Sequence, residues 1–153
     1  MLGGFIVNKD IIIIGGGVVG CAVARLLSRY EADVALLEGG SDVAEGASKA
    51  NSGIVHAGFD AKPGTLKARL NVEGARMYPS LCAEVDAPYG QPGAMVLAFS
   101  DEERAHVEKL YAQGVENGVP DLRVIEREEV LSLEPNVNPD VVCALLAPTS
   151  GLT

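Results

Sequence analysis

Asp10-Ile11-Ile12-Ile13-Ile14-Gly15-Gly16-Gly17-Val18-Val19-Gly20-Cys21-Ala22-Val23-Ala24 decides how the whole chain is read. Residues 10–14 are an aspartate followed by four β-branched isoleucines, the signature of a buried parallel strand. A glycine turn follows, and residues 18–30 have helical periodicity. Val19, Val23, Leu26, Leu27 and Tyr30 fall on one side, with Arg25, Ser28 and Arg29 on the other. Residues 33–37 then read as a second apolar strand ended by Glu38. Strand, short turn, helix, strand is a βαβ unit with parallel strands.

Gly15-Gly16-Gly17-Val18-Val19-Gly20 matches GxGxxG, and Glu38 lies 23 positions after Gly15. The pattern alone is weak, but here a strand precedes it, a helix opens inside it, and an acidic residue ends the next strand. Gly15 permits the tight turn, Gly17 lets a pyrophosphate approach the backbone, and Gly20 lets the helix lie close on the strand. Val19 sits within the motif and counts with the residues around the ligand. The helix start offers N–H groups and a partial positive charge to phosphates. Glu38 is placed to accept from ribose hydroxyls, and its charge opposes a 2′-phosphate. The competing reading is a glycine-rich turn with no ligand.

Composition narrows the class. The chain has 153 residues, long enough to bury about 68–70% of its unfolded surface. It is 48% hydrophobic with 5% aromatic residues, 18 glycines and no tryptophan. That mix suits α/β packing rather than a β-sandwich or a base-stacking surface. A net charge of −9 without a basic cluster argues against a nucleic-acid partner. Cys21, Cys82 and Cys143 are dispersed and fit neither a disulfide framework nor metal-ligand spacing, so no metal is expected. The uncharged run 11–24 is shorter than the ~20 residues of a membrane span and is broken by glycines. No transmembrane or targeting segment is expected, and the expected location is cytoplasmic or peripheral to the inner face of a membrane.

Farther along, residues 39–64 read as a long loop, a kind that usually serves a function. Pro63-Gly64 introduces a helix over 65–78 with Thr65 as N-cap. Residues 86–93 contain Pro88, Gly90, Pro92 and Gly93 and mark a candidate boundary between domains at 8–85 and 94–153. Beyond it a strand over 94–99, a helix opened by the capping box Ser100-Asp101-Glu102-Glu103, a short helix over 127–133 and a strand over 141–146 are expected.

Gly46-Ala47-Ser48-Lys49-Ala50-Asn51-Ser52-Gly53-Ile54-Val55-His56-Ala57-Gly58 resembles the second loop of FAD-dependent oxidoreductases of the D-amino-acid-oxidase superfamily. Within it the chain is similar to the glycerol-3-phosphate dehydrogenase and L-2-hydroxyglutarate oxidase branch. Residues 63–69 (Pro-Gly-Thr-Leu-Lys-Ala-Arg), Glu73-Gly74-Ala75-Arg76 and Glu134-Pro135 extend the resemblance over about 8–153.

The resemblance implies a Rossmann-type FAD-binding βαβ unit followed by part of an α+β substrate domain. Ser48 would bond the pyrophosphate, and Asn51, Ser52 and Gly53 would pass the flavin ring. His56 would lie near that ring, as the one catalytic candidate, or would be a loop histidine satisfied by a backbone carbonyl. No covalent flavin link is expected, because the surrounding residues differ from those of the relatives that have one. His106 reads as a surface residue. Lys62, Lys67 and Arg69 either face an anionic substrate or solvate a helix. The implied activity is hydride transfer from a small anionic secondary alcohol to flavin, with sn-glycerol 3-phosphate first among substrates. The catalytic base is not assigned. Alternatives are an L-2-hydroxyglutarate or amino-acid oxidase, an NAD-binding module, or a non-catalytic nucleotide-binding fragment. Electrons would leave to a quinone, oxygen or a partner subunit. Family members are longer and two βαβ strands make no stable sheet alone, so the chain reads as a fragment or as one half of a split protein.

Overall fold

The computed structural model describes residues 8–153. The chain forms two compact units, one ending at Ser52 and one spanning Gly53–Thr153.

In the first unit, β1 (Ile11–Ile14) leads into α1 (Val18–Leu27), and β2 (Val34–Leu37) pairs with β1 in parallel, Ile11 opposite Val34 and Ile14 opposite Leu37. A single 3-10 turn follows at Gly46–Ser48. The expected βαβ unit is present, but its apolar faces are only partly covered. Ile12, Ile14 and Leu37 are exposed, as are Val19, Val23 and Leu26 of α1 and Tyr30 just beyond it. The side of α1 that the periodicity marks for burial is therefore open here. The small side, Gly20, Cys21 and Ala24 with Leu27, is half-buried instead. Small residues win that side because a tight glycine turn brings the helix close to the strand.

The second unit holds the core. β3 (Ile54–Val55) pairs antiparallel with β7 (Gly151–Leu152). α2 (Leu66–Glu84) begins at Thr65, whose hydroxyl accepts from the Ala68 amide at 3.2 Å. It runs past the expected end at 78, through Pro79, to Glu84. A proline removes one helical N–H and crowds the carbonyl four residues back, a local cost that α2 bears here. The turn beyond it carries buried Cys82.

β4 (Ala94–Ala98), β6 (Cys143–Ala147) and β5 (Arg123–Glu126) form an antiparallel sheet with β6 in the centre. α3 (Asp101–Glu116) and α4 (Arg127–Leu133) accompany it. At the α3 start the Ser100 hydroxyl accepts from the Glu103 amide. The Glu103 carboxylate reaches back to the Phe99 amide at 2.6 Å, one residue before the cap. Ala57, Val72, Ala98, Val107, Leu122, Cys143 and Leu145 form one core cluster. Val72 on α2 thus packs in the same cluster as β4 and β6. The Pro/Gly stretch at 86–93 runs inside the second of these compact units, which divide between Ser52 and Gly53.

Cys21 is half-buried, Cys82 and Cys143 are buried, and all three are free thiols. Burial pushes the Cys143 thiol pKa up. Among the described residues no helix is long and apolar enough to cross a membrane, and no His, Cys, Asp and Glu cluster could hold a metal ion.

Candidate functional site

The glycine turn is assembled from three segments of the first unit. Gly15 adopts φ +102°, a left-handed conformation that favours glycine, and its amide donates to the Leu37 carbonyl at 2.8 Å. A Cβ on Gly20 would lie 1.9 Å from the Gly15 carbonyl oxygen, so helix and strand touch there without room for a side chain. The reasons given in sequence for Gly15 and Gly20 thus have direct geometric counterparts.

Gly17 is the N-cap of α1, and no side chain of its own caps the helix. Ser48 does so from the 3-10 turn: its hydroxyl accepts from the Val18 amide at 2.8 Å. A Cβ on Gly17 would meet the Ser48 oxygen at 3.1 Å. Glycine at 17 therefore makes room for Ser48. Ser48 keeps its own hydroxyl proton to donate outward. Val19, in the first turn of α1, turns its side chain to solvent at 74% exposure.

Glu38 closes the other side. One carboxylate oxygen accepts from Gly16 N at 2.6 Å and the other from Gly40 N at 2.8 Å. These amide bonds, Gly40's first and then Gly16's, hold the Glu38 carboxyl below the ordinary glutamate value. The charge is thereby kept, and each oxygen has a lone-pair site left for a hydroxyl donor. Gly16, which no sequence argument singled out, is buried, and a Cβ there would meet the Glu38 and Val43 side chains at 3.1 Å.

These residues fit the adenosine-diphosphate half of a dinucleotide. The α1 N-terminus has no capping side chain of its own and no acidic residue in its first turn. Nothing lies within 4 Å of the Cβ position of Gly15. A hydroxyl donor and a carboxylate flank the turn, as phosphate and ribose require.

Asn51 donates from its amide to the Ser48 carbonyl at 2.9 Å, and Ser52 is exposed in the same loop. In the second unit, Gly53 has φ +67°, and a Cβ there would lie within 2.4 Å of the Thr153 carbonyl. Gly53 is held by chain packing, whatever its role toward a ligand. His56 lies just after β3, exposed between buried Val55 and Ala57. Its backbone carbonyl accepts from Asn71 Nδ2 at 2.7 Å. His106 is on the exposed side of α3. Arg69 lies 3.8 Å from Glu73 on an exposed face of α2, the geometry of a solvated helix pair.

Residues 10–153 match the family described as FAD dependent oxidoreductase, DAO. The chain belongs to that family. FAD is therefore its cofactor, and the residues above are those that would hold the ADP portion. Glycerol 3-phosphate dehydrogenase of Caloramator mitchellensis is 49% identical over 143 residues, covering 94% of this chain and 30% of that protein. L-2-hydroxyglutarate dehydrogenase of Dictyostelium discoideum is 37% identical, covering 97% of this chain and 34% of that one. The FAD-bound structure of L-alpha-glycerophosphate oxidase from Mycoplasma pneumoniae is 35% identical with a TM-score of 0.88, covering 96% of this chain and 39% of that one. The chain thus spans about a third of the length of the curated relatives it matches.

Proposed function

We propose that this chain supplies the ADP-binding turn and the flavin-side loop of an FAD-dependent oxidoreductase that oxidises a small anionic secondary alcohol. The observation that carries the reading is the α1 N-terminus, capped only by Ser48 and flanked by a carboxylate held ionised at Glu38. In this Rossmann-type arrangement Gly15, Gly17, Val19 and Gly20 line the phosphates, and Ser48 donates its remaining proton to them. Glu38 receives the ribose hydroxyls. Asn51, Ser52 and Gly53 lead the backbone toward the ring, and His56 faces it.

The flavin, when bound, supplies the two-electron acceptor for hydride. What this chain contributes is binding at the first unit and an exposed imidazole on a fixed loop. Glycerol 3-phosphate is the substrate favoured by the 49% identity to the Caloramator dehydrogenase. L-2-Hydroxyglutarate is the second candidate, supported by the 37% identity to the Dictyostelium enzyme. Both are secondary alcohols carrying an anionic group. Amino-acid oxidation and a non-catalytic nucleotide-binding role are the remaining readings, as is NAD binding, which the Ser48-to-Gly58 loop disfavours. A cytoplasmic or membrane-peripheral site of action, and a quinone or partner subunit as acceptor, fit a dehydrogenase of this kind.

The test is optical. Purified protein should show flavin absorption bands that appear as free FAD after denaturation. Anaerobic addition of sn-glycerol 3-phosphate should bleach them, and L-2-hydroxyglutarate or glycine should bleach them far more slowly. Bands that bleach with L-2-hydroxyglutarate alone would move the substrate to the second candidate. A folded protein with no flavin bands and no affinity for added FAD would overturn the proposal.

A further inference from the structure

His56 opens a segment with no regular backbone pairing, running to Ala61. Backbone carbonyls in such a segment need partners from elsewhere, and water serves most exposed loops. Here three carboxamide side chains serve instead. Asn71, on α2, donates to the His56 carbonyl at 2.7 Å. Asn117, which caps the end of α3, spends both its N–H groups on the segment, bonding Gly58 O at 2.9 Å and Ala61 O at 2.7 Å. Gln113, one turn earlier, donates to Phe59 O at 3.1 Å.

The Asn117 amide shows how far this arrangement is specified. Its Oδ1 is buried without a partner. Turning the amide over would give Oδ1 a new position but would set it against two carbonyl oxygens. The orphaned acceptor is the smaller loss, so the amide is locked in its donating orientation. Packing acts in the same sense. Val55, Ala57 and Ala61 are buried, and Gly58 has φ +106° with no room for a Cβ, which would meet Val72 at 2.8 Å. The backbone on both sides of His56 is thus pinned while its imidazole remains exposed. That imidazole borders a groove of about 240 Å³ lined also by Leu70, Asn71 and Tyr78.

We propose that Asn71 is a positioning residue for His56, the first of three carboxamide clamps that hold the 56–61 backbone so that the imidazole projects from a fixed point before any ligand arrives. Preorganisation of this kind removes the ordering cost that a mobile loop would add to each binding event. Asn71 acts through the His56 backbone and not on substrate or cofactor. The functional value of the clamp rests on the proposal that His56 faces the flavin.

This chain contains only two histidines, His56 and His106, which makes the test direct. In flavin-loaded protein labelled with 13C at histidine Cε1, His106 on α3 serves as the internal reference. Asn71→Asp replaces the donor by an acceptor of the same shape, and Asn71→Gln keeps a donor. The expected result is that Asn71→Asp shifts or broadens the His56 signal alone, and that Asn71→Gln restores part of it. The flavin visible bands should move with Asn71→Asp in the same direction as with His56→Gln, and less far. A His56 signal unchanged in Asn71→Asp overturns the proposal.

Should the Asp variant not fold, the unaltered protein decides. Backbone order parameters over 56–61 should lie near the rigid value of about 0.85, and values below about 0.6 overturn the clamp. His56→Gln separates the two claims. If it leaves the flavin bands unmoved, the flavin-facing reading fails, while the His56 signal still decides whether Asn71 positions it.

Discussion

At the scale of single residues the glycine turn is governed by two contacts, and each makes a prediction. Glu38 accepts two backbone N–H bonds, and these favour its ionised form in the folded unit. A carboxyl with a lowered folded pKa stabilises the turn fully above its unfolded value, near 4.5, and loses that effect as pH falls through the lower folded midpoint. The amide resonances of Gly16 and Gly40 should therefore move together with one midpoint below 4.5. In Glu38→Gln that titration should vanish. Gly20 carries the other contact. A Cβ there meets a backbone oxygen at 1.9 Å, and a backbone atom cannot rotate away as a side chain can. Gly20→Ala should cost the upper end of the usual overpacking penalty, about 3 kcal/mol, read from denaturant titration of the β1 amide resonances. The same variant should lose FAD retention, because helix and strand must part at the turn that holds the phosphates.

At the scale of elements, legibility followed the strength of local signals. The Ile11–Ile14 run, Thr65 and Ser100 each announce a boundary through chemistry confined to a few residues, and β1, α2 and α3 start where that chemistry places them. Thr65→Ala should destabilise the second unit by about 1 kcal/mol, the usual worth of an N-cap, with the loss read as a shift in its unfolding midpoint. β5, β3 and β7 escaped notice for the opposite reason. Arg123–Glu126 is a four-residue stretch that becomes a strand only by pairing with β6. The two-residue pair Ile54–Val55 and Gly151–Leu152 is nearly a hundred positions apart in sequence. Pro79 misled in the same way, since a proline reads as a stop unless the turn after it has something to bury. In the site, Gly15, Gly17, Gly20, Glu38 and Ser48 were legible because each belongs to a motif with a mechanism. Gly16, Asn71, Gln113 and Asn117 were not, because their roles arise from partners 15 to 59 residues away.

At the scale of the molecule the two units differ in what holds them. Every fully buried apolar side chain among the described residues lies at Val55 or beyond. β6 has neighbours on both edges, and Cys143, Ala144, Leu145 and Ala147 are wholly buried. β1 and β2 form a two-stranded sheet with Ile12, Ile14 and Leu37 exposed, and a sheet of that size is marginal by itself. Composition could not foretell this imbalance, because an apolar residue is counted alike whether or not anything covers it. Local opening follows buried contact. The amides of Ile11–Ile14 and Val34–Leu37 should therefore exchange with solvent hydrogen far faster than those of Ala144 and Leu145. A ligand that binds only the folded first unit adds stability there by mass action, about 2.7 kcal/mol at a hundred times its Kd, or roughly a hundredfold slower exchange. ADP is the right probe, since it carries the half of FAD that the glycine turn would hold and none of the flavin. Saturating ADP should slow exchange across β1 and β2 by about that factor and leave β6 unchanged. Equal slowing of both units, or slowing of neither, would mean that the adenosine diphosphate is not held by the turn at Gly15–Gly20.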